Sequence, residues 1–147
     1  MNSRVLSSSP EKTIAFGRQL GISLRGREII LISGDLGSGK TLMAKGIASA
    51  LGIEPNEVVS PSFVLMNAYR GRFNLYHFDL YRLGGASPVD CGIDEYLDEG
   101  LVIIEWAQYL DPVYSGLDQA VQIRMNALSD REREIRIETP LDYIRLP

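Results

Sequence analysis

The sequence is poor in the residues from which small proteins build covalent staples and metal cages. Among 147 residues it has one cysteine, one histidine and one tryptophan. A lone Cys91 closes no internal disulfide, and with His77 as the single histidine it builds no zinc site, so stability has to come from an apolar core. With 45% hydrophobic residues, a chain of this size buries roughly 68–70% of its unfolded surface, enough for one domain over residues 1–147. No apolar run is long enough to cross a bilayer, and MNSRVLSSSP lacks the apolar stretch of a signal peptide; the cytoplasm is the expected compartment, with no membrane partner. Positive charge is also scarce. The formal net charge is −4 and the pI near 5.0, which argues against holding DNA or RNA by blanket phosphate neutralisation and leaves any RNA contact indirect or confined to a small patch. The basic side chains are mostly arginines, the lysines being only Lys12, Lys40 and Lys45. Arginine suits fixed bidentate contacts to carboxylates or phosphates, although solvated surface charge accounts for most of them.

Periodicity supplies the elements. Ser9-Pro10 reads as a helix start, with a capping hydroxyl and a proline in the first turn, and the helix runs from Glu11 to Leu20 and stops near Gly21. Gly17 weakens its middle. Residues 28–33, EIILIS, form a short continuous apolar run that implies a strand buried on both faces of a parallel sheet. After GDLGSGKT, Ala44, Ile47, Ala48 and Leu51 fall on one face of a helix that ends at Gly52. Further on, residues 68–73 read as two strands around a glycine turn, while LYHFD (75–79) and LVIIE (101–105) read as strands that each end on an acid. The 84–100 segment reads as loop with one or two short helices, and 121–137 as a late hairpin. The expected fold is α/β: a single P-loop NTPase-type domain with a mainly parallel central sheet, antiparallel additions and helices on both faces.

Gly34, Gly39, Lys40 and Thr41 satisfy G-x-x-x-x-G-K-[ST], between a strand and a helix as that motif requires. Glycines let successive backbone N–H groups curl around β- and γ-phosphate oxygens, and the helix N-terminus adds partial positive charge. Lys40 neutralises phosphate and the Thr41 hydroxyl ligates Mg²⁺. Such a site expects one acid at the end of a neighbouring strand. Two compete: Glu105, closing LVIIE, and Asp79, closing LYHFD, which could instead orient the attacking water. His77 shares a strand face with Asp79 and reads as packed or hydrogen-bonded rather than catalytic. Trp106 reads as packing beside the site, and Arg131 and Arg133 either as solvated turn charges or as a cis arginine finger. Competing classes lack their signatures. There is no Asn-Lys-x-Asp guanine-reading motif and no LSGGQ-like stretch, and the 84–100 segment, where a small-molecule kinase would carry an arginine-bearing lid, has no Lys or Arg. The kinase reading stays open as an alternative, as does a nucleotide-sensing subunit with negligible turnover.

In order and spacing, GDLGSGKT, SPSFVLMNAY, YHFDLYRL, GIDEYLDEG and LVIIEW resemble the TsaE family over residues 9 to 109, and more loosely through the tail. Members of that family are small bacterial ATPases that work with TsaB and TsaD to make the threonylcarbamoyl modification (t6A) of adenosine 37 in tRNAs reading ANN codons. The resemblance implies that ATP phosphates are held by Leu36, Gly37, Ser38, Gly39, Lys40 and Thr41. It implies that Mg²⁺ is served by Thr41 and Glu105, and that Asp79 takes part in hydrolysis. It also suggests nucleotide contacts near Glu11 or Thr13 in the first helix and from Arg131 in the tail. One departure stands out: the family's Ser-Pro-Thr-[Phe/Tyr]-Thr is here Ser60-Pro61-Ser62-Phe63-Val64, so Ser62 keeps a hydroxyl and Val64 does not. With partners holding the tRNA, an acidic surface is tolerable; the partner-facing surface is expected over 60–66 and 84–100, beside the nucleotide.

Overall fold

Apolar runs without alternation need cover on both faces, and the computed structural model, which describes residues 1–84 and 87–147, meets that need with one central sheet. Its strands are β1 (Asn2–Ser7), β2 (Ile29–Gly34), β3 (Met66–Arg70), β4 (Asn74–Asp79), β5 (Leu101–Glu105), β6 (Ala120–Ala127) and β7 (Arg133–Glu138). They lie in the order β1-β7-β6-β2-β5-β4-β3. The central four, β6-β2-β5-β4, run parallel, while β3, β7 and β1 are added antiparallel at the two sides. Ile29 to Ile32 and Leu101 to Ile104 are all buried, as uninterrupted aliphatic runs in the middle of a sheet must be.

Two α-helices, α1 (Pro10–Ile22) and α2 (Lys40–Ser49), share one face of the sheet, where Leu20, Met43, Ile47 and Ala48 pack on Ile30, Ile32, Leu101 and Ile103. The opposite face is covered by 3-10 turns at Ile93–Glu95, Ala107–Tyr109 and Pro112–Gly116, with Phe78, Leu80, Trp106 and Tyr114 in its core. The helical cover is therefore α on one side and 3-10 on the other. Among the described residues no helix is long and apolar enough to cross a membrane.

Gly17, an oddity inside a helix by propensity alone, has a packing reason. A Cβ there would lie 2.6 Å from the Met43 carbonyl oxygen, and one on Gly46 would lie 2.2 Å from the Ile14 carbonyl oxygen. The two helix backbones thus meet through bare glycines, which no side chain flexes to relieve. Gly46→Ala is expected to force α1 and α2 apart and destabilise the chain by about 1–3 kcal/mol, read as a lower denaturant midpoint with an unchanged slope.

Local differences from the sequence-based expectations are few. The strand ending on Asp79 is itself the second arm of the hairpin, which turns at residues 71–73. The N-terminal segment forms β1 on β7, an edge strand that the sequence does not announce. Of the 84–100 segment, the described part contains the 3-10 turn at Ile93–Glu95 and a bridge from Val89 to Leu110; Gly85 and Ala86 lie outside the described residues.

Candidate functional site

The glycine loop leaves β2 at the centre of the sheet and enters α2, which puts it at the C-terminal ends of the parallel strands, where open α/β sheets present their crevice. Gly34 is required sterically: a Cβ would lie 2.5 Å from the Met125 carbonyl oxygen and 2.6 Å from Ser38 Oγ. Gly39, at φ 100°, ψ 20°, is the N-cap of α2 and offers no side-chain cap. The first-turn amides are thereby left for an anion, favoured there by the helix dipole.

Register brings the acids to the loop. Asp79 and Glu105 are direct partners across β4 and β5, and Ile32 of β2 is the partner of Glu105 on the other side. Both carboxylates therefore project from adjacent strand ends on the face that carries α2. Thr41 Oγ1 donates to Glu105 Oε1 at 2.8 Å. The other carboxylate oxygen, Oε2, lies 2.5 Å from His77 Nε2. Asp79 is held by two donors, Ser60 Oγ to Oδ2 at 2.7 Å and the Tyr81 amide to Oδ1 at 2.9 Å. Lys40, Thr41, Asp79, Glu105 and Ser62 line one cavity of about 470 Å³.

Lys40 is folded back onto the loop. Its Nζ donates to the carbonyl oxygens of Gly34 (2.8 Å) and Asp35 (2.7 Å) and to Ser38 Oγ (3.3 Å), and sits 3.9 Å from the centre of the Trp106 ring. Burial pulls its pKa below the ordinary lysine value, against the opposing pull of Glu105, Asp79 and Asp35. Trp106, packed against Tyr81 and stacked on Tyr109, adopts a left-handed backbone at φ 58°. It turns the chain sharply immediately after Glu105.

The remaining sequence candidates separate. Leu36 is 78% exposed at the loop's tip, Gly37 is beside it, and Ser38 is buried. Thr13 is buried in α1 with its hydroxyl 2.7 Å from Ser7 Oγ, and it lines a second cavity of about 310 Å³ with Gly37, Gly39 and Arg131. Glu11 is exposed and is not on that wall. It is Arg133 whose Nε donates to the Gly37 carbonyl oxygen, at 3.2 Å, while its Nη1 ties down the 129–132 turn. Three contacts were not read from the sequence: Ser60 on Asp79, Gln108 Nε2 on the Gly34 carbonyl oxygen at 3.1 Å, and His77 on Glu105. For Ser60 a hydroxyl before a proline is the available signal; His77 reads as packed or hydrogen-bonded with no partner named, and a glutamine carries no signal.

His77 is fully buried, and among the described residues its Nδ1 has no hydrogen-bond partner. A buried polar atom left unmet costs roughly 1–3 kcal/mol. Glu105 already accepts from Thr41 on Oε1, and Nε2 is the ring nitrogen placed to donate to its other oxygen.

As a donor set the site offers an ammonium, a hydroxyl, two carboxylates and loop amides, all hard groups that bind phosphate or a hard cation. Among the described residues no three His, Cys, Asp or Glu side chains cluster as a metal cage. A cation fitting this site would share its coordination with bound phosphate, as Mg²⁺ does.

Comparison with known proteins gives one answer. The model of the family described as threonylcarbamoyl adenosine biosynthesis protein TsaE matches residues 7–135. A Treponema pallidum tRNA threonylcarbamoyladenosine biosynthesis protein TsaE is 36% identical over 137 residues, 91% of this chain and 98% of that one. The Bacillus subtilis protein of the same name is 36% identical over 129 residues, 86% and 79% of the two chains. In structure, the crystal structure of Bacillus subtilis YdiB superposes with a TM-score of 0.73 at 28% identity, covering 97% of this chain and 89% of that one. With the phosphate-type loop, the two strand-end acids and the sheet order in place, the match over nearly the whole length has one meaning: this chain belongs to the TsaE family.

Proposed function

We propose that the chain binds and hydrolyses MgATP, and that it does so for a TsaB–TsaD pair in forming threonylcarbamoyladenosine at position 37 of tRNAs reading ANN codons, in the cytoplasm. The observation that carries the hydrolytic reading is the convergence of Lys40, Thr41, Asp79 and Glu105 on one cavity at the mouth of the glycine loop. Thr41 and Glu105 would hold magnesium, which when bound neutralises charge on the β- and γ-phosphate oxygens.

The chain's own residues supply the rest. The α2 amides and the loop from Leu36 to Thr41 receive the phosphates. Lys40 exchanges its loop carbonyls for phosphate oxygens, gaining an anion for an ammonium that burial has left poorly solvated. Asp79 Oδ2, now accepting from Ser60, takes a hydrogen bond from the attacking water and orients it in line with the γ-phosphate. The products are ADP, inorganic phosphate and one proton. Thr13, Arg131 and Arg133 surround the neighbouring cavity, where the nucleoside end of ATP would extend from the loop.

Partner dependence is supported by what surrounds the acid. Phe63 is 84% exposed and Val64 65% exposed on the loop whose Ser60 bonds Asp79. Exposed apolar side chains on a loop tied to a reacting group suit a surface that partner proteins cover. The test is phosphate release from MgATP by the purified chain, alone and with the TsaB–TsaD pair, with tRNA modification scored in the same tubes. Turnover that rises with the pair, and modification that needs this chain, are expected. Turnover indifferent to the pair, with modification proceeding without the chain, would instead favour a kinase with its own acceptor.

A further inference from the structure

We propose that His77 is a positioning residue for Glu105: its Nε2–H fixes Oε2 so that Oε1, beside the Thr41 hydroxyl, faces a divalent cation brought in with nucleotide phosphate. This rests on the reading that the loop holds a magnesium nucleotide.

Three observations carry it. The first is placement. His77 and Glu105 lie on the neighbouring parallel strands β4 and β5, one diagonal apart, because His77 pairs with Ile103 and Asp79 with Glu105. Their side chains meet on the α2 face, and both are buried. The second is division of labour on the carboxylate: Oε1 takes the Thr41 hydroxyl and Oε2 takes His77, one donor per oxygen. The last torsion of a glutamate side chain is broad and roughly two-fold. Two donors on opposite oxygens select one orientation, and removing the inner one frees the carboxylate plane to turn.

The third is that among the described residues the ring has no other polar engagement. Nδ1 is buried without a partner, a cost that a leucine of similar size would not incur. The one hydrogen bond the ring makes among the described residues is the one from Nε2 to Glu105. Partners that orient metal-binding carboxylates commonly matter by about 10–100-fold in metal affinity or activity when removed.

The experiment uses the full untagged chain, in which His77 is the only histidine, and compares wild type with His77→Gln and His77→Leu. Glutamine places an amide N–H near the position of Nε2, whereas leucine only fills the space. Mn²⁺ binding is titrated in the presence of ADP, ADP binding is measured separately in chelator, and the melting temperature of each nucleotide-free variant is recorded. The expected result is that His77→Leu raises the Mn²⁺ concentration for half-saturation about 10–100-fold, with ADP affinity in chelator unchanged and the glutamine variant recovering most of the loss. Nitrogen NMR of the lone histidine should show a proton on Nε2.

Leucine and wild type binding Mn²⁺ equally well, or an Nε2 found without a proton, would overturn the proposal. So would a glutamine variant as impaired as leucine at the same melting temperature. Should leucine fail to fold, the glutamine titration and the NMR assignment decide. Wild type that binds Mn²⁺ no better with ADP than without it would instead defeat the magnesium-nucleotide reading on which the proposal rests.

Discussion

Lys40→Ala is expected to abolish measurable nucleotide binding and lower turnover by about 10²–10³-fold, while leaving the free chain as stable as wild type or more so. The two halves follow from the same burial. Lys40 is 5% exposed, and desolvation holds its pKa below the ordinary lysine value. Between the folded and unfolded pKa values the unfolded chain binds more protons, so stability rises with pH through that alkaline interval. Below the folded value the desolvation penalty on the charged ammonium is fully present, set against its loop hydrogen bonds and its contact with Trp106. Its loop contacts are replaceable. Gly34 keeps the Gln108 amide on its carbonyl oxygen, and Asp35 is exposed to water. Alanine removes the charge that phosphate would meet, along with the contacts to Ser38 and the Trp106 ring. Calorimetric titration with ADP, together with melting curves of the nucleotide-free variant at neutral and alkaline pH, checks both halves. A variant that binds no nucleotide because it no longer melts cooperatively would count against this account of Lys40.

Much of the fold was legible because its signals are local. The run Ile29 to Ile32, the glycine loop and the apolar face of α2 are contiguous in sequence, and the strands ending on Asp79 and Glu105 announced themselves by aliphatic content and a terminal acid. β1 was not legible. With only Val5 and Leu6 apolar in NSRVLS and an exposed edge position, it is a strand because β7 offers it hydrogen bonds. Gly17 reads as a flaw in α1 until α2 is laid against it. The site divides in the same way. The loop residues and the two acids belong to patterns, whereas Ser60 on Asp79, Gln108 on Gly34 and His77 on Glu105 are contacts between segments 19, 74 and 28 residues apart. Such pairs are fixed by strand order and register, which no window of sequence contains. Arg131 and Arg133 show the limit most plainly: two arginines in one turn read alike, and only β-sheet register sends Arg133 toward the loop at Gly37.

Asp79→Asn is the substitution that separates hydrolysis from binding. Asparagine keeps the oxygen that accepts the Tyr81 amide, and its NH₂ can donate to Ser60 Oγ, so the tether between the 60–65 loop and β4 has a replacement on both sides. The neutral amide loses the negative charge and the lone pair toward which an attacking water would point. Turnover is expected to fall about 10²–10⁴-fold, with ATP affinity unchanged or tighter, because one negative charge has left the neighbourhood of the phosphates. Single-turnover phosphate release and equilibrium ATP binding read the two quantities separately. Loss of affinity with turnover retained at saturation would make Asp79 a binding group and leave Glu105 to orient water. Turnover lost while the complete set of partners still modifies tRNA at the wild-type rate would mean that nucleotide occupancy, and not its hydrolysis, is what the partners read. Because Ser60 stands between Asp79 and the exposed Phe63 and Val64, loss of both turnover and modification at full ATP affinity would tie the chemistry of the cavity to that surface.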